Sequence, residues 1–348
     1  MRTSPASPLL PLLAALFALG AGPAADTATG ADAPPAAHEL LGRATPAGTK
    51  QTFFFRRAVD YVGVSVDTPV LVVHGSRPGP TLCLTAGIHG DELNGIEIAR
   101  RIYAHTRPEA LAGVLVALPM INMYGIRSGT RYLSDRRDLN RFFPGSPDGS
   151  VAAIMAAALF KEVILRCNAL VDLHTASFHR SNLPQIRGDL GHEQVLRLAR
   201  SFGADIVLQD AGPKGSLRRA ALDAGVPAII YEAGGPFEFE EDEIARGVQG
   251  VHNVMTALEM SADGKQAAEP RLFRRSTWLR AGSGGIFMTK VRPGARIEEG
   301  AMLGTVTDPI TEAREEIRAS VSGVLIGMAV PQFVLPGYAL FHVGIDGK

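Results

Sequence analysis

Cysteine is almost missing: the 348 residues carry only Cys83 and Cys167. Neither stands at the close Cys or His spacing of a structural zinc site. Each lies beside an apolar run, so two buried free thiols are expected rather than a disulfide, because an unpaired cysteine packs as a small hydrophobe. An excess of either charge is missing too. Lys plus Arg and Asp plus Glu both total 35, for a net charge of zero, so no basic field argues for nucleic acid. The apolar run Leu9 to Leu19 is too short to span a membrane. It follows Arg2 and precedes the small residues Ala21-Gly22-Pro23-Ala24-Ala25, which is the three-part order of a secretory signal. Residues 1–25 are therefore expected to be cleaved near Ala24 or Ala25, leaving a periplasmic or secreted protein with no membrane span. No cysteine follows the signal to carry a bacterial lipid anchor.

A chain of this length holds one large domain and a small one. Residues 26–46, rich in Ala, Pro, Thr and Gly, read as a linker. The large domain is expected over 47–261. Within it, Phe53 to Val73 reads as two or three antiparallel strands. Thr81–Ala86, Val114–Met120, Ala169–Leu173 and Pro227–Tyr231 read as buried strands, alternating with helices over Leu93–His105, Val151–Leu165, His192–Phe202, Leu217–Ala224 and Glu240–Met260, with a short strand at Ile206–Leu208. Strands alternating with helices specify an α/β fold, a mostly parallel sheet with helices on its faces. Two long loops are expected, Asn122–Gly149 and Thr175–Asp189, and loops of that length are commonly functional. After a polar linker at Ala262–Pro270, short Gly-punctuated β-branched runs over 271–348 predict a small all-β, barrel-like domain. Its two halves, from Gly285 and from Gly323, resemble each other and the pattern of lipoyl carrier barrels. No lysine stands at a hairpin tip, so no attached cofactor is predicted.

The residues that carry chemistry stand where strands end. Gly87-Ile88-His89-Gly90-Asp91-Glu92 follows one buried strand, Asp172-Leu173-His174 closes another, and Glu232-Ala233-Gly234-Gly235 closes a third. Open α/β sheets keep their sites at that carboxyl edge. His89 and Glu92, three apart, can point at one spot, and His174 supplies a third donor. Two His and one Glu around an open position form the ligand set of hydrolytic zinc enzymes. Asp172 is equally consistent with holding a zinc-binding histidine and with capping a strand. Glu232, at the end of an apolar strand, is costly unless paired or used, and it fits a general base. The loop between carries Arg131, Arg136, Arg137, Asp138, Asn140 and Arg141, and arginine pairs with carboxylates or stabilises an oxyanion.

Taken in this order, these stretches, together with Arg131-Tyr132 and Asp138-Leu139-Asn140-Arg141, resemble the succinylglutamate desuccinylase/aspartoacylase family within the zinc carboxypeptidase-like hydrolases. The resemblance implies one Zn2+ per chain on His89, Glu92 and His174, with Glu232 as base and then acid. It implies Arg131 at the scissile carbonyl, with Arg136 and Arg127 as alternatives because the segment from Arg131 to Asp138 is longer than in the family. Asn140 and Arg141 would hold a carboxylate of a small-molecule substrate, and Arg187 is a further candidate contact. The expected activity is deacylation of an N-acyl amino acid. The alternative is a secreted zinc metallocarboxypeptidase acting on peptides. A non-catalytic envelope binding protein would be marked by a missing ligand or base, and all four positions are filled. Nothing in the pattern specifies an oligomeric state.

Overall fold

The computed structural model describes residues 36–55 and 67–346. The expected signal, the first part of the expected linker and part of the region between Phe53 and Val73 lie outside the described residues. Those described fall in one compact unit. Residues 38–45, expected as linker, instead form a hairpin of β1 (His38–Leu40) and β2 (Arg43–Thr45). Its two-residue turn, Leu41-Gly42, has positive φ at both positions, the turn that matches strand twist.

β3 (Thr49–Phe55) and β4 (Thr68–His74) pair antiparallel. Then come β5 (Arg77–Ala86), α1 (Asn94–His105), β6 (Ala112–Leu118), a short α2 (Met123–Ser128) within the first long loop, α3 (Val151–Glu162) and β7 (Ala169–His174). The second expected loop is mostly a strand, β8 (Arg180–Gly188), followed by α4 (Glu193–Phe202), β9 (Ile206–Gln209), α5 (Leu217–Asp223), β10 (Ala228–Gly234) and α6 (Glu241–Ala257). The remainder is β throughout: β11 (Arg271–Phe273), β12 (Arg275–Arg280), β13 (Gly285–Thr289), β14 (Arg296–Ile297), β15 (Met302–Thr307), β16 (Arg314–Arg318), β17 (Gly323–Ala329), β18 (Gln332–Val334) and β19 (Ala339–Ile345).

One large mixed sheet runs β12-β19-β17-β8-β10-β7-β5-β6-β4-β3. Its centre, β10-β7-β5-β6, is parallel, with antiparallel pairs on both sides. Alternation along the strands feeds two cores. Leu82, Leu84 and Ala86 pack with Leu115 and Ala117 beneath α1, α4 and α6. Val114, Val116 and Leu118 pack on the other face with Met155, Ala156 and Leu159 of α3 and Leu217 and Ala220 of α5. The buried positions of α3 recur at three- and four-residue spacing, one stripe of a helix.

Cys83 of β5 and Cys167 form a disulfide in this second core, with Cα atoms 5.8 Å apart, which corrects the expectation of free thiols. β7 pairs with β5, Cys83 opposite Leu170, and that pairing brings together two cysteines 84 residues apart in sequence. Burial alone would have suited either state; proximity decides it.

The C-terminal strands divide between this sheet and a four-stranded one, β16-β15-β13-β18. Between them lies a third core, where Phe287 meets Phe341 edge-on at 5.5 Å. In the β12–β19 pair, His342 stands opposite Trp278, and the rings stack at 4.4 Å. His342 Nε2 meets Ser276 Oγ at 2.9 Å. Burial, then the charge of Arg187, pushes its pKa down to about 3, against the pull of Asp210. Folded His342 thus stays neutral through a range in which the unfolded chain, near 6.5, takes up a proton. Its contribution is complete above pH 6.5 and is lost as pH falls toward 3. His342→Gln is expected to flatten the decline of the urea midpoint between pH 6.5 and 5 relative to wild type. Parallel curves would show that His342 is not the group responsible.

Candidate active site

β5 leaves the sheet at Ala86 and turns at Gly87, whose φ is +62°. A Cβ at Gly90 would lie 2.0 Å from the carbonyl carbon of Gly125, so only glycine lets this segment pass α2. The turn carries His89 and Glu92 to the carboxyl edge before α1 begins. His174 ends β7, and the β7–β10 register sets it directly beside Glu232. Neighbours across a parallel pair leave the sheet on the same face.

His89 Nδ1 lies 2.8 Å from Glu92 Oε1, and His174 Nδ1 lies 2.7 Å from Glu92 Oε2. One donor atom from each of the three buried residues falls within 4.8 Å of the others. The opposite ring nitrogens rest on carboxylates: His89 Nε2 on Asp138 at 3.1 Å and His174 Nε2 on Asp172 at 2.9 Å. Asp172 is held in turn by the Thr85 hydroxyl at 2.7 Å. Asp172 therefore orients a histidine ring, one of its two expected roles. The other, Asp138, belongs to the arginine-rich loop.

Burial works to raise the Glu92 carboxyl, but the charges of His89 and His174 outweigh it and hold Glu92 well below the usual carboxylate range. Burial works to lower His174, and Asp172 with Glu92 holds it well above the ordinary histidine value. Asp138 is likewise held down, against burial, by its bonds to His89 and Arg131. A proton on His174 thus supplies positive charge that this buried acidic cluster requires. A divalent cation would supply it at the same atoms and release the proton. Two imidazoles, one carboxylate and carboxylates behind the rings fit zinc.

Arg131 reaches this cluster. Its Nη1 donates to Glu92 Oε1 at 3.2 Å and to Ser177 Oγ at 2.5 Å, and its Nε and Nη2 donate to Asp138 Oδ2 at 3.2 and 2.8 Å. Ser177 also donates to Glu92 Oε1 at 2.5 Å. Arg127 and Arg136 are exposed, and neither lines the cleft. Asn140 and Arg141 do line it. Asn140 Oδ1 accepts from Leu217 N at 2.7 Å, which leaves its amide group to donate. Glu232 takes a hydrogen bond from Asn182 Nδ2 at 2.8 Å and faces Arg187 Nη1 at 3.3 Å. Arg187, expected to touch substrate, is thus placed against Glu232.

These groups share one cavity of about 350 Å3 with Arg180, Asp210, Arg218, Trp278 and Arg280. Trp278 and Arg280 come from the C-terminal strands, which therefore wall the site. The Arg180 guanidinium lies over the rings of Phe178, Trp278 and Tyr338 at 5.3–5.5 Å. Sequence reasoning missed Ser177, Arg180, Asn182, Arg218 and Trp278. Ser177, Arg180 and Asn182 lie on or beside the strand taken for a loop, and no residue pattern marked the other two.

The model of the succinylglutamate desuccinylase/aspartoacylase catalytic domain matches residues 78–258, more than half of the chain. The chain belongs to this family. An N-alpha-acetyl-L-2,4-diaminobutyric acid deacetylase of Halomonas elongata is 27% identical over 288 residues, covering 78% of this chain and 84% of that protein. A succinylglutamate desuccinylase of Burkholderia thailandensis is 27% identical over 221 residues, 58% of this chain and 62% of its own length. Among solved structures, a family member from Rhodobacter sphaeroides superposes with TM-score 0.78 at 25% identity, covering 86% of this chain and 96% of that one. The ectoine utilization protein EutE (DoeB) of Ruegeria pomeroyi shares the fold, with TM-score 0.79 at 24% identity over 87% and 97% of the two chains. The family model runs from β5 to α6, and the solved structures extend the shared fold over most of the rest of the chain.

Proposed function

We propose that this chain is a zinc-dependent deacylase of N-acyl amino acids, working outside the cytoplasm. The observation that carries the reading is the convergence of His89, Glu92 and His174 at one point, with Glu232 in register beside His174. The names of the deacetylase and desuccinylase relatives support the reaction class. Zinc held by His89, Glu92 and His174 would supply Lewis-acid polarisation of the substrate carbonyl and acidify water in the cleft. Glu232, oriented by Asn182 and Arg187, takes the proton of the attacking water on a carboxylate oxygen and passes it to the leaving nitrogen. Arg131 donates to the carbonyl oxygen as negative charge develops on it. Asn140 and Arg141 hold the substrate's α-carboxylate. A cavity of about 350 Å3, walled by Trp278 and Arg280, suits a small acylated amino acid better than a polypeptide, which favours this reading over a carboxypeptidase. The disulfide supports an oxidising compartment.

Chelation is the direct test. Treating the protein with a chelator is expected to abolish release of acyl acid from a panel of N-acyl amino acids, and stoichiometric zinc to restore it. Hydrolysis that persists in metal-free protein would rule out the metal reading. Release of C-terminal residues from peptides, without deacylation, would favour the carboxypeptidase instead.

A further inference from the structure

A second cavity, of about 640 Å3, opens between the β1–β2 hairpin and the starts of β5 and β6. It lies at the opposite edge of the sheet from His89, Glu92 and His174, and shares no residue with the cleft. Two histidines line it, His38 of β1 and His74 at the end of β4. Their ring centroids are 6.1 Å apart. Thr45 joins them: it stands opposite His38 in the hairpin register, and its carbonyl oxygen lies 2.8 Å from His74 Nδ1. A carbonyl only accepts, so His74 Nδ1 carries the hydrogen, and in the neutral ring Nε2 keeps a lone pair. A ring fixed in this way by a backbone carbonyl is the usual state of a metal-binding histidine.

The polar atoms around this point are short of partners. His38 Nε2 and Thr45 Oγ1 are both buried and meet no hydrogen-bond partner among the described residues. Buried polar groups left in that state call for something to fill the gap, a water or an ion. Burial, then the neighbouring His74 and Arg166, lowers His38 below the ordinary histidine value, which keeps the ring in the neutral form that binds metal. Arg77 and Arg166 also line the cavity, but each is anchored on a main-chain carbonyl: Arg77 Nη2 donates to Ala110 O at 3.0 Å and Arg166 Nε to Glu162 O at 3.2 Å. Glu39 in the same wall supplies negative charge.

We propose that His38 and His74 form a second metal site, which binds a divalent transition ion such as zinc through the two Nε2 atoms, with water completing the shell. Imidazole selects zinc, nickel or copper over calcium or magnesium. The Thr45 hydroxyl is available to that water. The rings have to close only from 6.1 Å toward the 5.0 Å that separates His89 from His174. With two side-chain ligands against three in the His89–Glu92–His174 cluster, the second ion is the weaker of the two. Its role is structural. β1 and β2 pair only with each other, and a two-stranded hairpin is marginal by itself, so a bridge from His38 to His74 ties the hairpin to β4.

The test is a zinc titration of the chelator-treated full chain against a chromogenic zinc indicator. Wild type is expected to bind one more ion per chain than either His38→Gln or His74→Gln. Glutamine at 74 keeps an amide donor for Thr45 O, so that contact survives the exchange. His192, exposed and remote in sequence, is the control, and His192→Gln is expected to bind as wild type does. Zinc at about a hundredfold above the dissociation constant of the weaker site is expected to raise the wild-type melting temperature by on the order of 5 °C beyond the protein with only the tighter site filled. The same excess is expected to leave His38→Gln unmoved. Reading each variant with and without the excess cancels differences in folding. The inference is overturned if wild type and both variants bind equal numbers of ions, if only one of the two substitutions removes the ion, or if His192→Gln removes it as well, which would mark it as surface binding. Failure of the zinc reading at His89, Glu92 and His174 would lower the count equally in all four proteins and leave the difference between them in place.

Discussion

Glu232→Gln is expected to lower kcat for N-acyl amino acid hydrolysis by between about a hundredfold and ten-thousandfold, the usual range for removing a general base. KM is expected to stay within a few-fold and zinc content to be unchanged. The amide keeps the size of the carboxylate, and its oxygen can still accept from Asn182, which holds Glu232 at 2.8 Å. What is lost is a site for the proton of the attacking water. Arg187 would then face a neutral group at the position where it now meets Glu232 at 3.3 Å. A circular dichroism spectrum and melting curve close to wild type would show that this exchange is local. Turnover at the wild-type rate would mean that another group takes the proton, and Glu232 would be left as a partner for Arg187.

Replacing both Cys83 and Cys167 with alanine is expected to cost roughly 2–5 kcal/mol of stability, because the bond closes a long loop in the unfolded chain. For a chain of this size that is a fall in melting temperature on the order of 10 °C. The sequence separation is 84 residues, and the bond ties β5 to the segment just before β7, a strand already paired with β5. Its main effect is therefore on the unfolded ensemble rather than on the site. Activity per folded molecule is expected to survive while the melting curve shifts. An unshifted curve would show that the core around Val114, Val116 and Met155 holds β5 and β7 together without it.

Those two experiments probe parts of the molecule that differed in how far they could be read from sequence. The strands β5, β7 and β10 are legible because each is an apolar run that stops at or just before a His or Glu. An apolar run buried on both faces has few alternatives. β8 is hidden for the opposite reason. Arg180, Ser181, Asn182, Gln185 and Arg187, with Pro184 among them, look like a solvated loop. They are polar because the strand lies beside the site: Asn182 serves Glu232, and Gln185 donates to Ile326 O at 2.9 Å. Arg218 reads as part of a charged helix face, Arg218-Arg219, yet only Arg219 points outward, to Asp223 at 2.8 Å. The disulfide depends on sheet order, which no local pattern encodes.

Asn182 has a second neighbour. In the β8–β17 register it stands opposite Gly327, and a methyl group there would come within 2.3 Å of Asn182 Oδ1. The strand that holds Glu232 through Asn182 is thus fitted against a strand contributed almost 150 residues later. For anyone recombining this chain with its relatives, the polar stretch at 262–270 is the obvious crossover, and it is the wrong one. A chimera joined there would inherit Asn182 from one parent and its opposing strand from the other. Exchanging 180–188 together with 323–329 keeps that fit within a single lineage.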